Sequence, residues 1–197
     1  MRLILATENA GKIKEFSEML APLGFEVMSM RDVGFTEEIV EDKTSYEGNA
    51  LIKARAVHQA FPELVIADDS GLSIDCLDGY PGIYSARFAG KDTSYTDKIT
   101  ALWELLKDRE EPYTAAYHCA IALILPDGRE EIFVASVPGI VITERRGTAG
   151  FGYDPIFYYP PLEKTCAEMS PEEKNSISHR ALALKQCLEF LQKAEKI

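Results

Sequence analysis

The chain reads as an α/β protein, with a mixed β-sheet and helices packed around it. Two observations predict this. Helical and strand patterns alternate through the first half of the sequence, and an antiparallel section with a strong hairpin signal follows. The length of 197 residues suits one domain, or two lobes sharing one core.

The apolar run Leu3-Ile4-Leu5 opens a first strand, over about residues 3–7. Ile13, Phe16, Leu20 and Leu23 then recur three and four apart, the spacing of a helix face, and Gly24 stops it. A short strand follows at 26–30, and then an acidic stretch, 36–44, without a clear period. Residues 45–60 read as a helix with Ala50, Ala54 and Val57 on one face, ended by Phe61-Pro62. Residues 64–67 read as a short buried strand that delivers Asp68-Asp69-Ser70-Gly71 at its C-terminal end, a favoured place for ligands in α/β sheets. Gly79-Tyr80-Pro81-Gly82 is a turn.

Thr93 or Ser94 caps a helix carrying Ile99, Leu102, Trp103 and Leu106, with Asp97 near its third position. Strands at 113–125 and 130–136 flank the hairpin signal Pro126-Asp127-Gly128-Arg129, and a further strand is expected at 139–143. Residues 147–154 form a glycine-rich loop. Ser170-Pro171-Glu172-Glu173 is a helix start, with a cap, a proline at the first position and acids in the first turn. Ile177, Ala181, Leu184, Leu188 and Leu191 form the core stripe of the last helix, with a break expected near 176–178. On an ideal helix His179 points away from that stripe, so a site there is expected on the polar side.

Composition excludes several roles. The net charge of −11 and pI near 4.8 repel a nucleic-acid backbone, so no nucleic-acid partner is expected. Four cysteines, Cys76, Cys119, Cys166 and Cys187, form no CxxC pair and read as buried, reduced thiols of a cytoplasmic protein. The opening apolar run is too short for a signal peptide, and the longest apolar run, 119–125, is far too short to span a bilayer, so no membrane partner is expected.

Four groups carry chemistry. The turn Thr7-Glu8-Asn9-Ala10-Gly11-Lys12 joins a strand to a helix, where backbone N–H groups and a helix N-terminus hold anions; it is also the form of an ordinary turn with a surface lysine. A Walker-type loop would follow its lysine with Ser or Thr for magnesium, but Ile13 stands there. Asp68-Asp69 are costly after an apolar strand unless a cation pairs with them, which makes them Mg²⁺ ligands or a capped turn. Glu41, in the acidic stretch, is a second candidate carboxylate. Gly150-Phe151-Gly152-Tyr153-Asp154-Pro155 either opens a ring face to a nucleobase or plugs the core with its aromatics. Lys174, Ser178, His179 and Arg180 form a cationic cluster at a helix start, able to donate to carbonyl or phosphate oxygens, or else a solvated face. His58 and His118 read as structural, and no GxSxG elbow is present.

Four stretches, ATENAGKIKE, ADDSGLSIDCLDGYPGIYSARFAG, GTAGFGYDPIF and EKNSISHRALAL, closely resemble the inosine/xanthosine triphosphate pyrophosphatases. They run in order over nearly the whole chain. The resemblance implies a single domain, 1–197, elongated and of two lobes with a central cleft, usually a homodimer. It implies Mg²⁺-dependent hydrolysis of ITP, dITP or XTP to the monophosphate and pyrophosphate. It also implies roles. Thr7, Glu8, Asn9, Ala10, Gly11 and Lys12 would hold the triphosphate, with Lys53 an extra cation. Asp69 would be the catalytic residue and, with Glu41, a metal ligand. Ser70 would contact substrate. Phe151 would stack on the base, with Gly152, Tyr153 and Asp154 shaping that pocket, and Lys174, His179 and Arg180 would read the base. A relative acting on modified pyrimidines or other triphosphates, and a non-catalytic nucleotide-binding module, are the alternatives. The metal question raised by Ile13 is answered on this view by Asp69 and Glu41.

Overall fold

A computed structural model describes residues 2–194. Among them, strands β1 (Arg2–Leu5), β2 (Glu26–Ser29), β3 (Val65–Ile74), β4 (Tyr113–Ile124), β5 (Glu130–Val141), β6 (Phe157–Tyr159) and β7 (Lys164–Thr165) form one sheet in the order β2-β1-β3-β4-β5-β6-β7. β1 runs parallel to β2 and to β3, while β6 runs antiparallel to β5 and β7. The sheet is therefore mixed. The α-helices are α1 (Ala10–Leu20), α2 (Tyr46–Ala60), α3 (Tyr95–Leu106), α4 (Pro171–Ile177) and α5 (His179–Ala194).

The chain divides into two compact units. One holds the chain up to Asp69, Cys119–Ala135 and the chain from Arg180 onward; the other holds Ser70–His118 and Ser136–His179. In the first unit, strand alternation sorts the core into two layers. Leu3, Leu5 and Ile66 pack with Phe16, Leu20, Leu184 and Leu191. Ile4, Val65 and Ala67 pack with Ala50, Ala54 and Val57 of α2. Each fully buried Leu, Ile or Phe contributes about 1.5–3 kcal/mol. In the second unit, Leu72 and Ile74 of β3 pack with Ile99 and Leu102 of α3, and with Tyr113, Tyr117, Tyr153 and Phe157.

Local signals place most element ends. Asn9, Ser45, Ser94 and Ser170 each cap a helix through a side-chain oxygen, and Ser170 closes a capping box with Glu173. Gly24, at φ 82°, stops the first helical segment after a short 3₁₀ turn.

Two boundaries differ from the sequence expectation. β3 does not end at Ala67 but runs ten residues, so Asp68 and Asp69 lie mid-strand. Cations from elsewhere in the chain neutralise them, which removes the reason to break the strand. The strands expected at 130–136 and 139–143 are one, because Pro138 lies outside the positions, Ile140 and Val141, at which β6 pairs. The break expected near 176–178 falls at Ser178, whose ψ of 147° is extended, so α4 and α5 are separate helices.

Candidate active site

In the first unit, β1 hands the chain to α1 through a tight capped turn. Asn9 Oδ1 accepts from the Lys12 N–H at 3.1 Å, and Thr7 Oγ1 accepts from the Asn9 N–H at 3.2 Å. The first turn of α1 holds no acidic residue, so no carboxylate competes with an anion for its N–H groups. Glu8 instead extends into solvent, 3.9 Å from Arg31.

Lys12 Nζ lies 2.9 Å from Asp68 Oδ2. Arg180 donates to the same oxygen through Nε and Nη2, each at 3.3 Å, and through Nη1 to Glu15. Lys12, Asp68, Arg180 and Glu15 thus form a row of alternating charge, with Asp68 fully buried and Arg180 2% exposed. Burial alone would raise the Asp68 pKa. Lys12, Arg180 and Lys53 outweigh it and hold the carboxyl well below the usual carboxylate range. The remaining oxygen, Oδ1, is buried without a hydrogen-bond partner, which adds to the desolvation cost those cations offset.

Alternation along β3 gives Asp69 different company. Asn49 Nδ2 donates to Asp69 Oδ2 at 3.1 Å, and Lys53 Nζ lies 3.9 Å from Oδ1. The same ammonium is 2.8 Å from Glu41 Oε2. Asn49, also fully buried, accepts the Lys43 N–H at 3.0 Å, which ties the acidic stretch to α2. Burial raises the Asp69 pKa and nearby Glu41 adds to this; Lys53 and Lys12 pull the other way without cancelling it. The neighbouring aspartates are therefore displaced in opposite directions.

Among the described residues no group of three or more His, Cys, Asp or Glu side chains could hold a metal ion. Glu41 and Asp69, sharing one ammonium, are a two-carboxylate donor set. That set fits Mg²⁺, which commonly takes one or two protein carboxylates and fills its sphere with water and substrate phosphate.

In the second unit, the glycine-rich loop is folded around Asp154. Gly150 and Gly152 have φ of 74° and 70°. A side chain at Gly150 would overlap the Asp154 carboxylate, so this position needs glycine on both counts. Asp154 Oδ2 accepts from the Phe151 N–H at 2.8 Å and from Lys174 Nζ at 2.6 Å, and Oδ1 accepts from the Tyr117 hydroxyl at 3.3 Å. Lys174 Nζ also sits 5.3 Å from the Phe151 ring centroid. The Tyr117 ring stacks on His179, with centroids 4.7 Å apart and planes at 21°. Phe151 and Ser70 remain half-buried. Tyr153 is buried in the core, and its hydroxyl donates to the Ser85 carbonyl at 2.9 Å.

The structure joins Lys12, Lys53, Glu41, Asp69 and Arg180 into one group, and Phe151, Asp154, Lys174 and His179 into another. The expectation of a site on the polar side of the last helix fails. The break at Ser178 separates Lys174 from Arg180, and Lys174, His179 and Arg180 are all buried. Sequence reasoning missed Glu15 and Tyr117 as supporting residues.

The fold and these groups define an α/β protein with a capped strand-to-helix turn, clustered cations and paired carboxylates, equipment for a phosphate-bearing ligand. The chain belongs to the Ham1 family, whose model matches residues 3–190. It is 48% identical over 192 residues to the dITP/XTP pyrophosphatase of Bacillus subtilis (strain 168), covering 96% of each chain. The dITP/XTP pyrophosphatase of Desulforamulus reducens is 46% identical over 193 residues, with 97% of this chain and 96% of that one covered. Among solved structures, the Staphylococcus aureus Ham1 protein superposes with a TM-score of 0.86 at 36% identity, over 98% of this chain and 100% of that one. A HAM1 protein from Coxiella burnetii gives a TM-score of 0.87 at 36% identity, over 98% and 99%.

Proposed function

We propose that this chain hydrolyses non-standard purine nucleoside triphosphates, dITP, XTP and ITP, to the monophosphate and pyrophosphate. The observation that carries the reading is the doublet Asp68-Asp69. One carboxylate is locked by Lys12 and Arg180, and the other has a raised pKa beside Lys53 and Glu41. The names of the relatives support the substrate class.

The turn from Thr7 to Lys12 binds the triphosphate through N–H groups and the Lys12 ammonium, with Lys53 as a further cation. Glu41 and Asp69 would hold Mg²⁺, which when bound offsets phosphate charge and favours departure of pyrophosphate. Asp69 orients the attacking water and takes its proton, a role that a raised carboxylate pKa suits better than an ordinary one. Asn49 holds the Asp69 carboxylate in one orientation, and Ser70 contacts substrate. Phe151 stacks on the base. Asp154 acts through the Phe151 backbone and Lys174, and Gly152 and Tyr153 hold the loop in shape.

Lys174 and His179 supply the donors that favour a six-position oxygen. Adenine presents an amine there, and its amine would leave those donors unpaired. Arg180, engaged by Asp68 and Glu15, sets Lys12. The protein acts in the cytoplasm as a homodimer, without nucleic-acid or membrane partners; no helix among the described residues is long and apolar enough to cross a membrane.

The test is incubation with Mg²⁺ and either ITP or ATP, followed by separation of products. IMP and pyrophosphate from ITP, with little turnover of ATP, is the expected result. Orthophosphate release, or equal rates on both, would refute the base-selective reading.

A further inference from the structure

Lys53 occupies an unusual position for a lysine that binds substrate. Its ammonium is 2.8 Å from Glu41 Oε2 and 3.9 Å from Asp69 Oδ1, on a side chain 11% exposed. Its two charged neighbours at this distance are carboxylates, which hold it as an ammonium ion. The two carboxylates proposed to hold the metal are thus already sharing a cation.

We propose that Lys53 is a resident counter-ion for Glu41 and Asp69, and that a divalent ion binding these carboxylates displaces it. This rests on the metal assignment made above. Two arguments support exchange over coexistence. The Glu41 oxygen that accepts the ammonium hydrogen bond is a weaker donor to a metal while it does so, and drawing both Glu41 and Asp69 onto one ion sets that ion beside the ammonium they share. Charge also counts. Two carboxylates and one ammonium leave a net −1; a divalent ion alone brings the group to zero, while ion and ammonium together leave +1 in a buried setting and force two cations side by side. The four-carbon stem of lysine lets the ammonium swing without movement of α2.

Displacement has a functional consequence. The released ammonium is a mobile positive charge beside the metal carboxylates, available to triphosphate oxygens. Metal binding therefore prepares the second ligand's cation, and by linkage triphosphate binding strengthens metal binding in return.

The test uses the nucleotide-free wild-type chain and Mg²⁺ alone. Lysines are acylated with an amine-reactive ester and quantified by mass spectrometry across a Mg²⁺ titration, and binding is followed in parallel by calorimetry. The Lys53 modification rate is expected to rise severalfold, with the midpoint of metal binding, while exposed Lys14 stays constant. In a second measurement, Lys53→Met is expected to bind Mg²⁺ at least tenfold more tightly than wild type. Saturable Mg²⁺ binding with Lys53 reactivity unchanged or reduced overturns the exchange and leaves the metal assignment standing, as does Mg²⁺ affinity that is unchanged or weaker in Lys53→Met. Absence of saturable Mg²⁺ binding overturns both.

Discussion

Replacing Asp68 with Asn keeps the shape of a fully buried side chain and removes its charge. In the wild type, Oδ2 takes Lys12 at 2.9 Å and two Arg180 nitrogens at 3.3 Å. Removing one member of a buried pair costs about 3–5 kcal/mol, because its partners stay buried without compensation. Glu15 still pairs with Arg180, which places the expected loss at the low end, about 3 kcal/mol, or roughly 6–12 °C in Tm for a chain of this size.

The pH dependence separates this cause from a packing defect. The folded Asp68 pKa is depressed, so its stabilisation is complete above the unfolded-state value of about 3.9 and is lost as pH falls through the folded value. The Tm gap between wild type and Asp68→Asn should therefore hold steady between pH 5 and 8 and close below about pH 4, as read by thermal denaturation. A gap that is absent at neutral pH, or that persists unchanged in acid, would refute the charge-row account.

Other outcomes follow from the same geometry. Asp69→Asn should abolish turnover of ITP while retaining binding, checked by product analysis and by fluorescence titration. Mg²⁺ must displace the proton from Asp69, whose pKa burial raises in the metal-free chain, so Mg²⁺ affinity should begin to fall on the acid side at a pH above the ordinary aspartate value; calorimetry at a series of pH values measures this. Gly150→Ala forces a left-handed residue, at about 1–2 kcal/mol, and drives a methyl into Asp154. It should raise KM for ITP more than tenfold and lower Tm. Tyr117→Phe deletes a hydroxyl donating to a buried carboxylate and should cost about 1.5–3 kcal/mol in thermal stability. Chelation by EDTA should stop hydrolysis, and Mg²⁺ should restore it.

What was legible in the sequence was local. The turn into α1, the hairpin between β4 and β5 and the capped start of α4 depend on residues a few positions apart, so spacing alone reveals them. β3 was misjudged because two carboxylates look like the end of a strand. The cations that make them tolerable, Lys12, Lys53 and Arg180, are scattered along the chain and meet only on folding. Glu15 was hidden for a similar reason: on a helix it passes for an ordinary surface residue, and only its tertiary partner gives it meaning. The roles proposed for Phe151 and Lys174 rest on family resemblance, since a glycine-aromatic loop can equally fill a core, as Tyr153 in fact does.

The opposite fates of Asp68 and Asp69 come from parity: one chemical letter, written twice, acquires two meanings according to the side of the strand it faces. Inserting or deleting a single residue between Val65 and Asp68 would turn each carboxylate to the opposite face, away from its present partners, while leaving composition almost unchanged. This short segment should therefore tolerate apolar substitutions far better than any change in length.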